Sequence, residues 1–135
     1  MRALKRMAGQ IADALIAEGF TIHRYDAQRT SSIYLKLDWG ACNMVRISDH
    51  PGHAHGTARY NIGTWVSVAM EVCDPYPHYY YPPSDVSDLI AKCVEDRAMR
   101  RSLSGEAGYT ETCEKKRKEA KRARSGFWTK ARRIR

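Results

Sequence analysis

Apolar residues recur at steps of three and four near the start of the chain: Leu4, Met7, Ala8, Ile11, Leu15 and Ile16. Arg2, Lys5, Arg6, Gln10 and Asp13 lie on the other side. That period predicts an amphipathic helix with one buried face. Gly19 follows and suits the left-handed conformation that closes a helix. The spacing then shifts toward two. Phe20 to Asp26, Ser32 to Leu37 and Cys42 to Ser48 read as strands, with links short enough for hairpins and Gly40 in the second link. After the loop from Asp49 to Gly56, where Pro51-Gly52 fits a type II turn, a fourth extended run begins at Tyr60. Ile62, Thr64, Val66, Val68 and Met70 continue its alternation, and Gly63 predicts a bulge or bend.

Pro75, Pro77, Pro82 and Pro83 rule out a regular helix or central strand between Asp74 and Pro83, because proline lacks the donor N–H. Ser84 is the expected N-cap of a second helix, with Asp85 and Asp88 complementing its dipole. Val86, Leu89, Ile90, Cys93 and Val94 form its apolar stripe, which reaches Leu103 before Ser104-Gly105 interrupts it. The predicted class is α+β: an N-terminal helix, an antiparallel meander of three to four strands, a second helix, and a basic helical C-terminal tail. Helices on one face of the sheet would bury both apolar stripes. Residues 1–105 form the expected compact domain, and 106–135 the basic helical or disordered tail.

Charge sharpens that division. From Glu111 to Arg135 there are eleven Lys or Arg and three Glu, whereas Met1 to Thr110 holds twelve of each sign. The whole net charge of +8 therefore resides in residues 111–135. Such asymmetry is the footprint of a polyanion partner. Lys115, Lys116, Arg117, Lys118, Lys121, Arg122, Arg124, Lys130, Arg132, Arg133 and Arg135 are the candidate contacts, with Phe127 and Trp128 available to stack on bases or anchor in a protein pocket. Glu111 and Glu114 precede Lys115 and Lys118 by four residues, the favourable order for helical ion pairs. Between them and Ser125-Gly126 the helix is polar nearly all round, which gives it little reason to dock on the body.

The strand period adds a second surface. If Ile22, Ile33, Leu35, Leu37, Val45 and Ile47 face the helices, then His23, Tyr25, Tyr34, Lys36, Met44, Arg46, Arg59 and Asn61 face outward. Tyr34, Lys36, Arg46 and Arg59 are the candidate partner contacts there, since aromatics mixed with cations on an open sheet suit RNA or a protein interface. The Tyr76, Tyr79, Tyr80, Tyr81 stretch is either an interface or a loop over the sheet edge. His50, His53 and His55 could hold zinc with Asp49, but their spacing better fits a solvated loop.

Other chemistry is not signalled. Cys42, Cys73, Cys93 and Cys113 form no CxxC pair and read as reduced thiols of a cytosolic protein. No apolar run is long enough to span a bilayer. Neither a phosphate-binding glycine loop nor a metalloprotease or nucleophile-elbow motif occurs. No catalytic residue, cofactor or metal is assigned.

Two resemblances add to this reading. Ser31-Ser32-Ile33-Tyr34-Leu35-Lys36-Leu37, Val45-Arg46-Ile47-Ser48-Asp49-His50-Pro51-Gly52 and Arg59-Tyr60-Asn61-Ile62 resemble small phage and prophage accessory proteins over residues 18–64. The resemblance implies a mobile-element origin and includes anti-CRISPR proteins, which are typically non-enzymatic and occupy a surface of a nucleic-acid-guided effector. The region is also similar to the HicA family of RNA-cleaving toxins, with a double-stranded-RNA-binding-like α-β-β-β-α fold, at Gly19-Phe20 and from Val45 to Pro51. That family's catalytic His follows a Gly-Ser; the corresponding Thr30-Ser31-Ser32-Ile33 has none, which argues against nuclease activity.

The expected function is that of a non-enzymatic phage or prophage accessory protein, acting in the cytoplasm of a host bacterium. Its partner would be nucleic acid or a nucleoprotein, and its most specific role inhibition of a CRISPR effector complex. Alternatives are a HicA-like RNase, using His23 or His50 for acid–base chemistry, and a general DNA-binding protein. No membrane partner is expected.

Overall fold

A computed structural model describes residues 2–28, 31–42, 44–48, 57–61 and 78–134. Helix α1 spans Arg2–Ala17 and buries Leu4, Ala8, Ile11, Ala12 and Leu15. Its end is a Schellman motif: Gly19 N–H donates to the Ile16 carbonyl and Phe20 N–H to the Leu15 carbonyl, at 2.9 and 3.1 Å. Gly19 has φ 89°, so a side chain here would be strained. Phe20 and Leu15 are both fully buried, the apolar contact that accompanies this cap.

The strands are β1 (Ile22–Asp26), β2 (Ser32–Leu37), β3 (Met44–Ser48), β4 (Thr57–Asn61), β5 (His78–Tyr81) and β6 (Arg132–Arg133). They form one antiparallel sheet in the order β5-β4-β3-β2-β1-β6. The α+β class holds, and the meander runs to five strands before the sixth returns from the C-terminus to pair with β1. The Pro/Tyr stretch contributes β5 at a sheet edge, where Pro82 and Pro83 just beyond it disturb no ladder. Residues 49–56 and 62–77, which include His50, His53, His55, Cys73, Tyr76 and most of the fourth extended run, lie outside the described residues.

Register puts Leu35 opposite Val45 and Ile33 opposite Ile47, so one face of the sheet is apolar. Ile22, Ile33, Leu35, Leu37, Val45 and Ile47 are all fully buried there with the α1 stripe. Each such side chain contributes about 1.5–3 kcal/mol by leaving water. The second helix, α2 (Val86–Arg122), adds Leu89 and Cys93 to the same core. It starts after a 3₁₀ turn, Pro83–Asp85; Asp85 is the N-cap, without a side-chain cap, and Ser84 instead bonds Asp85 at 3.3 Å. Arg97 ties α2 to α1, stacking on the Phe20 ring at 3.8 Å and donating to the Glu18 carbonyl at 2.6 Å.

Gly105 has φ 77° and ψ 159°, so α2 is two helical segments meeting at the break that Ser104-Gly105 predicts. The second segment does dock on the body, contrary to its polar composition. Tyr109 is 5% exposed, and its hydroxyl donates to the Asp38 carboxylate at 2.5 Å. That hydroxyl's one hydrogen points to Asp38, so the Cys42 thiol, 2.8 Å away, donates to the Tyr109 oxygen. Among the described residues no helix is long and apolar enough to cross a membrane.

Candidate nucleic-acid interface

The turn after β2 builds one end of the interface. Asp38 and Trp39 have φ 50° and 62°, in the left-handed region where a residue with a side chain costs about 1–2 kcal/mol. The conformation is held from three sides. Thr21 N–H donates to Asp38 Oδ1 and Asp38 N–H to the Thr21 carbonyl, both at 2.8 Å, while Tyr109 takes Oδ2. The result is that Trp39 lies against His23 on the outer face of the sheet, with ring centroids 4.2 Å apart.

The C-terminal segment completes that end. After Ser125-Gly126, the single helical turn α3 (Phe127–Lys130) sets Trp128 edge-on to His23 at 5.0 Å and 5.9 Å from Trp39. Phe127 meets Tyr25 edge-on at 6.2 Å. Lys36 lies over both the Phe127 and Trp128 rings, at 4.8 and 5.1 Å. Its ammonium pKa is lowered by burial and by the charge of Lys116 in α2. β6 then seals the β1 edge, with Arg133 opposite His23 and over the Trp39 ring at 5.5 Å.

His23 is consequently 6% exposed, and among the described residues its Nδ1 finds no hydrogen-bond partner. Burial, with the charges of Arg133 and Lys36, pulls its pKa from 6.5 to about 4. It is therefore a neutral ring beneath two tryptophans, not a group presented to a phosphodiester. Phe127, Trp128 and Lys36, expected as partner contacts, are placed over His23, where they fasten the C-terminus to the sheet.

The outer face beyond this roof is ordered by register, with Tyr25, Tyr34 and Arg46 half-buried. Tyr25 pairs with Tyr34, Tyr34 with Arg46, Arg46 with Arg59 and Arg59 with Tyr80, which makes one transverse row over five strands. The Tyr25 and Tyr34 rings stack at 6.0 Å with 17° between planes. Arg46 lies over Tyr34 at 5.7 Å and is aimed by Ser32, to whose hydroxyl its Nε and Nη2 donate at 3.3 and 3.1 Å. Tyr80 is 40% exposed. Arg59 holds its register position between Arg46 and Tyr80. Sequence periodicity found Tyr34, Arg46 and Arg59 but not Tyr80, whose stretch carries too many prolines to show a strand period.

The basic segment contributes unevenly. Glu106, Glu111 and Glu114 line an open groove with Lys115 and Lys118, so that side offers mixed charge. Arg117 is committed to Glu114 through a bidentate pair at 2.5 and 2.9 Å, in place of the expected pairing of Glu114 with Lys118. The charge of Lys116 acts on Lys36; Lys121 and Arg122 form the last turn of α2, and Arg124 lies beyond it. Arg135 lies outside the described residues.

The thiols are chemically quiet. Burial raises Cys42 to about 12 and Cys113 to about 11, and pushes Cys93 up as well, so all three stay protonated near neutrality. Among the described residues no cluster of His, Cys, Asp and Glu could hold a metal ion. Compared with known proteins, the chain matches no family model, no curated protein and no solved structure.

Proposed function

We propose that this protein binds single-stranded nucleic acid, free or within a nucleoprotein, on the outer face of its sheet, and that it acts by occupancy and not by catalysis. The observation that carries the reading is the Tyr25, Tyr34, Arg46, Arg59, Tyr80 row. Three aromatic positions flanking two cationic ones meet the two needs of an unpaired strand: π-faces for bases and positive charge for phosphates. A stacked base contributes about 1–3 kcal/mol, and each neutralised phosphate adds salt-dependent affinity. The cations of α2 extend the field beyond the sheet and favour encounter with a polyanion. His23, one of the two histidines considered as the acid–base group of an RNase, sits under Trp39 and Trp128, which favours binding over cleavage.

The finer reading is a mobile-element accessory protein that occupies the nucleic acid of a host CRISPR effector. A net charge of +8 suits contact with guide RNA, target DNA or an acidic protein patch, not mimicry of DNA. The test is capture of the tagged full chain from a bacterial lysate, divided into nuclease-treated and untreated halves, with proteins and nucleic acids both identified. An effector complex recovered with its nucleic acid supports the finer reading. Nucleic acid of every kind, lost on treatment, leaves only a general binder. Recovery of neither contradicts the proposal.

A further inference from the structure

The row ends at Tyr25, and beside Tyr25 the chain forms a cleft of about 440 Å³ lined by Arg24, Tyr25, Asp26, Gln28, Lys130 and Arg132. Its size falls in the range of about 300–1,000 Å³ usual for small-molecule sites. The two walls come from opposite ends of the chain: the end of β1 on one side and the link from α3 into β6 on the other. β6 pairing sets Arg132 opposite Arg24, on the face of Arg24 and Asp26, while Lys130 lies over Tyr25, so the cleft straddles the sheet edge.

The charges within the cleft are not balanced. Arg24 grips both oxygens of Asp26, at 2.7 and 3.1 Å. That hydrogen bond holds the Asp26 carboxyl below its usual pKa, so the pair is a neutral unit near pH 7. Lys130 and Arg132 remain as the cations for an incoming anion. Lys130 also lies over the Tyr25 ring at 5.8 Å, which puts a phosphate-binding charge beside a base-stacking face. Two cations match a phosphomonoester, which carries about −1.5 to −2 near pH 7, better than an internal phosphodiester with a single charge.

Resting on the reading of the outer face as a single-strand platform, we infer that this cleft holds the terminal nucleotide of the bound strand, with its phosphomonoester between Lys130 and Arg132 and its base on Tyr25. The protein then distinguishes a phosphorylated strand end from a hydroxyl end. Internal phosphates along the row supply general affinity, and the cleft fixes where the strand terminates.

The experiment measures affinity of the full-length protein for one short single-stranded RNA prepared with a 5′ phosphate, a 3′ phosphate or neither. One phosphorylated form binds about tenfold more tightly than the unphosphorylated strand, a difference of about 1.4 kcal/mol. In Lys130→Gln and Arg132→Gln, both conservative in shape, that ratio falls toward one. The ratio reads end recognition separately from any general loss of affinity, and thermal melting confirms that the variants fold. Equal binding of all three strands to the wild type, with affinity still lost in Arg46→Gln, overturns the cleft and leaves the platform standing. A preference that survives both substitutions also overturns it. No binding of any strand at low salt overturns the platform itself, and the cleft with it.

Discussion

The two faces of the sheet are built from the same strands by opposite rules. The inner face pairs Ile33 with Ile47 and Leu35 with Val45 and is sealed by α1 and the first segment of α2. The outer face pairs Tyr34 with Arg46 and Lys36 with Met44, and among the described residues its cover is the cluster of Trp39, Phe127 and Trp128 at one end. The inner face makes the fold; the roofed end of the outer face fastens the C-terminus; the rest of the outer face carries the row proposed to bind. Removing side chains from each region should therefore affect different quantities.

Leu35→Ala should be the most damaging. It empties a fully buried position in the central strand pair and should cost about 2–5 kcal/mol in a urea denaturation experiment. Acid should expose the roofed end. The folded state holds His23 near 4, while an unfolded chain titrates it near 6.5, so the unfolded chain takes up the proton first as pH falls. The contribution of neutral His23 is complete above about 6.5 and is lost progressively toward about 4, a change on the order of 3 kcal/mol. Trp128→Ala removes part of the roof; NMR titration should then show the His23 pKa rising toward its ordinary value, and the acid loss should shrink.

Tyr109→Phe tests the docking of the basic segment. It withdraws the hydroxyl from the buried Asp38 carboxylate and should cost about 1–3 kcal/mol by chemical denaturation. The smallest change in stability belongs to Tyr34→Leu on the outer face. We expect less than about 1 kcal/mol, in line with other surface substitutions. A large loss there would mean that the row is part of the scaffold.

The inner face was legible because burial imposes a period. The α1 stripe, the Gly19 stop, the limits of β2 and the interruption at Gly105 all follow from spacing and backbone freedom. The outer row was legible for Tyr34, Arg46 and Arg59 for the same reason, reversed. Other features left no periodic trace. Tyr109 is a lone aromatic in a polar helix, and its partner Asp38 lies 71 residues earlier in a turn. Phe127-Trp128 is visible as an anchor, but nothing local says that its pocket belongs to the same chain. β6 is two arginines, and so short a strand has no alternation to read. The cleft beside Tyr25 depends on that pairing and was equally hidden.

The central claim is that the outer row binds an unpaired strand. Its most direct test is the affinity of a single-stranded RNA for the wild type, Tyr34→Leu and Arg46→Gln as salt is raised. The account predicts binding at low salt that weakens as salt rises, a loss of about 1–3 kcal/mol in Tyr34→Leu, and a shallower salt dependence in Arg46→Gln. Affinity and salt dependence indifferent to both substitutions would contradict it.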